Sequence, residues 1–122
     1  MNYRTLKFIA LGLAHALLGS AQAQTDAGLQ AINDLAQVNG QALACQDMQA
    51  ARRAKALMLA HAPKTARFGN AFDEGTQQSY LAQTRDAAPC PDAAALSTRL
   101  DAIAQRLQNS LPTTPQTSKA TP

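Results

Sequence analysis

The run APCPDAAALSTRLDAIAQRL, residues 88–107, decides how the chain reads as a fold. Pro89 and Pro91 bracket Cys90 and cannot continue a helix, because proline lacks the backbone N–H and its ring clashes with the preceding turn. Asp92 follows as a good N-cap, with a carboxylate able to accept from the free N–H groups of a new helix. Leu96, Leu100, Ile103 and Leu107 then fall at steps of four, three and four, which places them on one helical face. The stretch is a break, a cysteine, a cap and an amphipathic helix that needs something to pack against.

Working outward, the other cysteine of the chain is Cys45. A disulfide between Cys45 and Cys90 closes a loop of about 45 residues and removes unfolded-chain entropy worth roughly 4 kcal/mol. That is comparable with the whole net stability of a small domain. Neither cysteine sits in a Cys-x-x-Cys motif, so the bond reads as structural rather than catalytic.

Three more helices are legible upstream. The composition is rich in alanine and glutamine and poor in β-branched and aromatic residues, which favours helix over strand. The spacing predicts a first helix over 26–44, with Leu29, Ile32, Leu35, Ala36 and Leu43 on one face. Asn39 projects onto that face and Gly40 lies near its edge. The pair fits either a packing notch inside one helix or an Asn-Gly turn that splits it. A second helix starts at the cap Asp47 and stops before Pro63, with Ala51, Ala54, Leu57 and Met58 on its apolar arc and His61 at the margin. A third, over 65–84, carries Phe68, Phe72, Thr76 and Tyr80 at steps of four. Large aromatics in such a stripe belong to a core. Short connections favour antiparallel neighbours. The expectation is an all-α fold, a small antiparallel four-helix bundle stapled by one disulfide, with both cysteines in turns at the same end.

The start of the chain reads as an address label. Arg4 and Lys7 precede an apolar run from Phe8 to Leu18, and Ala21-Gln22-Ala23 supplies a small-x-small site, so cleavage is expected between Ala23 and Gln24. The run is shorter than the roughly 20 residues a membrane span needs. The domain organisation is therefore 1–23 as a secretory signal peptide, 24–109 as the helical domain and 110–122 as a disordered tail of proline, threonine and serine. Localisation is expected to be periplasmic or secreted, where a disulfide persists.

Loss of Arg4 and Lys7 takes eleven basic residues to nine against eight acidic ones, a balance of +1. Bulk electrostatic binding of nucleic acid is not expected of so neutral a chain. One basic cluster stands out: Arg52, Arg53, Lys55, Lys64 and Arg67, with no acid between Asp47 and Asp73. In the expected bundle it gathers toward the end opposite the disulfide. It is the candidate interaction surface, and its expected partner is another periplasmic protein, an acidic one on charge grounds.

Catalysis lacks residues. Beyond residue 23 the chain has one histidine, His61, and one glutamate, Glu74. No nucleophile-elbow motif frames Ser79 or Ser97. Asp73 and Glu74, adjacent on a helix, point about 100° apart and do not face each other across a substrate. No enzyme, cofactor or metal is expected. Met58 and His61 project to one side of a single helix and cannot offer opposed axial ligands to a haem. The alternative function is a small-ligand or metal carrier with a pocket near Asn39, Met58 and His61.

Two loose resemblances extend this reading. A helical exported domain with Cys45 at a helix foot, then Ala60-His61-Ala62-Pro63 and a later Pro89-Cys90, is similar to the periplasmic immunity proteins of type VI secretion over about residues 40–91. That resemblance implies binding of a toxic cell-wall enzyme. A disulfide-bridged helical periplasmic domain also resembles the small acid-stress chaperones, although nine acidic and histidine residues are few for an acid trigger. No functional residue carries over from either family. The overall expectation is a non-catalytic protein-binding or accessory module.

Overall fold

A computed structural model describes the backbone of residues 6–113 and the side chains from residue 22 onward. Most of the expected signal peptide and the expected tail beyond residue 113 lie outside the described side chains. The described residues form four helices and no strand: α1 (Leu6–Ala44), α2 (Met48–His61), α3 (Ala66–Arg85) and α4 (Ala93–Ser110). The bundle and its disulfide are as the periodicity and the cysteine pair require, with Cys45 and Cys90 bonded and their Cα atoms 5.7 Å apart.

Local chemistry sets the helix ends. Asp47 accepts from the N–H of Ala50 at 3.0 Å and Asp92 from that of Ala95 at 2.7 Å. Each carboxylate satisfies one of the orphan donors of a first turn. At the end of α1 the chain turns through Gln46 with φ of 59°, while the Asp47 N–H donates to the Ala42 carbonyl and the Gln46 N–H to that of Leu43. Glycine usually fills this left-handed closing position.

α1 differs from the sequence reading in two ways. It starts at Leu6, so residues 6–23 of the expected signal peptide and the helix expected over 26–44 are one helix that passes unbroken through Asn39-Gly40. It is also the central helix, in contact with all three others, rather than one corner of a square. The reason lies in three successive residues. Val38, Asn39 and Gly40 are all buried, and because neighbours on a helix point about 100° apart, more than half of the circumference is covered. Ala31, Leu35, Val38 and Ala42 form a second buried stripe beside Ile32 and Ala36. Leu43, expected in the core, is instead 36% exposed.

The other helices divide this surface. Leu96, Leu100, Ile103 and Leu107 of α4 are buried, as are Ala50, Ala51 and Ala54 of α2, where small side chains let the helices approach. α2 and α4 pack on each other as well as on α1, whereas α3 packs on α1. The α1–α3 crossing is close. A Cβ built on Gly40 would lie 2.6 Å from the Ser79 Cβ and 2.8 Å from the Tyr80 nitrogen, and would overlap the Thr76 carbonyl. One built on Gly75 would lie 2.8 Å from the Ala36 Cβ. Glycine on both sides is what permits the contact.

The domain also extends past its expected end at residue 109. Ser110 closes α4, and Leu111 lies over Gly28, where an added Cβ would come within 2.6 Å of its side chain. The Leu111 carbonyl is 2.7 Å from His61 Nδ1. Leu111 follows Leu107 by four residues and continues its stripe, but the neighbouring Ser110 and Pro112 read as the start of the tail.

Candidate functional site

Because α3 packs mainly on α1, a groove remains on each of its flanks. The groove toward α4 is polar, lined by the amides of Asn33, Gln37, Gln41 and Gln78, with Arg99 of α4 bonded to Gln41. The groove toward α2 is different in kind. It encloses 540 Å³, and its floor is made by Asn39 and Leu43 of α1. Met48 and Ala51 form the α2 wall, and Phe72, Thr76 and Tyr80 form the α3 wall.

Each groove residue has a local reason for its position. Asn39 is 7% exposed, and its amide donates to Thr76 Oγ1 at 3.1 Å, which meets the demand of a buried polar group and links floor to wall. Ser79 Oγ donates to the Gln37 carbonyl at 2.7 Å on the far side of the same crossing. Phe72, with Phe68, enters the core as the stripe requires, each less than 9% exposed. The stripe leaves the core further along, where Tyr80 is 42% exposed. Met48 is 48% exposed, so Leu43, Met48 and Tyr80 present apolar surface to solvent together at one end of the groove.

The rim is charged. Arg52 and Lys55 stand on the α2 side, Asp73 and Gln77 on the α3 side. Three ion pairs occur among the described residues, and none uses Arg52 or Lys55. Arg53 meets Asp101 at 2.5 Å, Arg106 meets Asp34 at 2.7 Å and Arg67 meets Asp26 at 3.6 Å. These pairs are solvent-exposed and each contributes at most about 1 kcal/mol, but they neutralise the cations they hold.

The five basic residues expected to form one surface are thereby separated. Arg53 turns toward α4, beside Asp101 and Ser97. Arg67 is neutralised at the α1 side by Asp26. Lys64 borders a depression with His61, Pro63 and Leu111 at the end away from the disulfide. Arg52 and Lys55 alone share the α2–α3 groove, for a helical reason: three residues apart, they project along the same side of α2.

The pocket expected from Asn39, Met58 and His61 does not assemble. Asn39 lines the groove, Met58 packs partly buried against the core, and His61 sits at the far end against Leu111. Gly28, under Leu111, and Asn39 are eleven residues apart on α1, about 16 Å along the helix. Met58 and His61 share a helix face as read, but that face does not meet Asn39. Among the described residues no group of three or more His, Cys, Asp or Glu side chains gathers, and no helix is long and apolar enough to cross a membrane. Ala23 and Gln24, the expected cleavage pair, are exposed on α1 beside Arg106, Asn109 and Ser110.

The groove itself was missed in the sequence. Its one available signal was the misfit of Leu43, Met48 and Tyr80, large apolar residues that a single-core bundle has to expose. No family model, no curated protein and no solved structure matches the chain.

Proposed function

We propose that the chain is an exported, non-catalytic binding module whose contact surface is the α2–α3 groove. The observation that carries this reading is the coincidence, at one place, of exposed Leu43, Met48 and Tyr80 with Arg52 and Lys55, cations outside every ion pair of the described residues. Apolar surface flanked by polar rim is how a contact site combines burial with specificity. The Cys45–Cys90 bond supports an oxidising compartment, since Cys90 is exposed and a reducing cytoplasm would open it.

The test is capture of periplasmic proteins on the oxidised chain and on two double variants. Arg52→Glu with Lys55→Glu changes the groove rim, and Lys64→Glu with Arg67→Glu changes the end of the molecule. All four side chains are exposed, so stability should move by about 0.5 kcal/mol or less per site, and by about 1 kcal/mol at Arg67, which loses its pair with Asp26. The groove variant is expected to lose the partner and the end variant to keep it. Equal capture by all three proteins, or loss only in the end variant, refutes the assignment. A single stoichiometric enzyme partner would accord with an immunity role, and many unfolded partners with a chaperone role.

A further inference from the structure

We infer that the occupant of the groove is an amphipathic α-helix from another protein, with carboxylates along the edge that faces α2. This rests on the groove being the contact surface and goes on to name what fills it. The walls are helices, and the described residues include no strand whose edge an extended peptide could extend. Recognition by added strand is therefore closed, and the helix-in-groove mode fits the geometry.

The dimensions agree. From Phe72 through Thr76 to Tyr80 is eight steps along α3, about 12 Å, which is the length of slightly more than two helical turns. A guest helix of that length presents anchors at positions i, i+3 or i+4, and i+7. Leu43 at the floor, Met48 on one wall and Tyr80 on the other surround an anchor at one end, and Ala51 and Phe72 continue the apolar lining along the groove toward the next.

The charges fix the polarity of the guest. Arg52 and Lys55 rise from the α2 wall one turn apart, so they match carboxylates at i and i+3 or i+4 of the guest. Asp73 stands on the opposite wall and repels an acid there. An acidic stripe on one side only, beside an apolar face, satisfies both walls. The chain's own segment beyond residue 113, TPQTSKATP, has no large apolar residue and no acid, and does not fit the site.

The methionines supply the assay. Met48 lines the groove, whereas Met58 lies elsewhere against the core. The oxidised chain carrying ¹³C-methyl methionine is titrated with a synthetic amphipathic helical peptide bearing leucines at i, i+4 and i+7 and glutamates along one flank. A second peptide carries lysines in place of the glutamates. The glutamate peptide is expected to shift the Met48 methyl resonance saturably and leave Met58 in place. Its affinity should fall about tenfold in the Arg52→Glu/Lys55→Glu variant, and the lysine peptide should bind at least tenfold more weakly to the unmodified chain.

Equal binding of the two peptides, a shift at Met58 in place of Met48, or a concentration-dependent Met48 shift in the chain alone would overturn the inference. The last result would mean that a second copy fills the groove. If the groove variant loses a periplasmic partner while neither peptide binds, the binding module stands and the helical guest does not.

Discussion

Replacing Gly40 by alanine would load the crossing on which the groove depends. The new Cβ would press on the backbone of α3, overlapping the Thr76 carbonyl and lying 2.8 Å from the Tyr80 nitrogen. Backbone cannot move aside as the tip of a side chain can, so α1 and α3 must separate. Overpacking of this kind costs about 1–3 kcal/mol. Separation also strains the Asn39–Thr76 and Ser79–Gln37 hydrogen bonds, each worth about 0.5–1.5 kcal/mol. Against this, alanine is favoured over glycine inside a helix by about 1 kcal/mol. The balance is a loss of about 3 kcal/mol, or a fall in Tm of about 12–24 °C for a domain of this size.

Gly69 is the internal control, since it too lies in a helix but a Cβ there meets nothing within 4 Å. Gly69→Ala should stabilise the chain by about 0.5–1 kcal/mol. Urea unfolding of the oxidised proteins, followed by helical circular dichroism, measures both. If Gly40→Ala is as stable as the unmodified chain at an unchanged m-value, the close crossing is refuted. Because Thr76 and Tyr80 belong to the groove wall, Gly40→Ala should also weaken partner capture at temperatures where it remains folded.

Other outcomes can be set beside this one. Removing the disulfide as Cys45→Ala/Cys90→Ala frees a separation of 45 residues and should cost about 4 kcal/mol, read as a lower urea midpoint that added reductant no longer changes. Gln46→Gly should stabilise the chain by about 1 kcal/mol in the same assay, because the φ of 59° there burdens a side chain and not glycine. Leu111→Ala should destabilise by about 1–2 kcal/mol through lost burial against Gly28, whereas an inert Leu111 would show that the domain ends at α4. The Arg52→Glu/Lys55→Glu pair should leave the melt nearly unchanged while removing capture, which separates a contact role from a folding role.

By itself the sequence determined the helices, their caps and the bond between them. Those properties are local. Asp47 and Asp92 satisfy donors within three residues, the Leu96 to Leu107 stripe follows from a period of 3.6, and two cysteines admit one intramolecular pairing. Phe68 and Phe72 were legible as core for the same reason. The burial of α1 on more than one face was written there too, in Ala31, Leu35, Val38 and Ala42 at steps of four, three and four. It was masked by small residues, whose burial a hydrophobic stripe reports weakly. Only the tertiary structure decided which helix is central, and that choice decided the site. With α3 packed mainly on α1, Leu43 and Tyr80 leave the core, Arg52 and Lys55 come to one groove, and Arg53 and Arg67 find carboxylates on α4 and α1. Periodicity says which side of a helix is apolar. It does not say which helix will cover that side, because the choice rests on the close fit of Gly40 to Thr76, Ser79 and Tyr80 and of Gly75 to Ala36, contacts between residues 36 to 40 positions apart that no local pattern encodes.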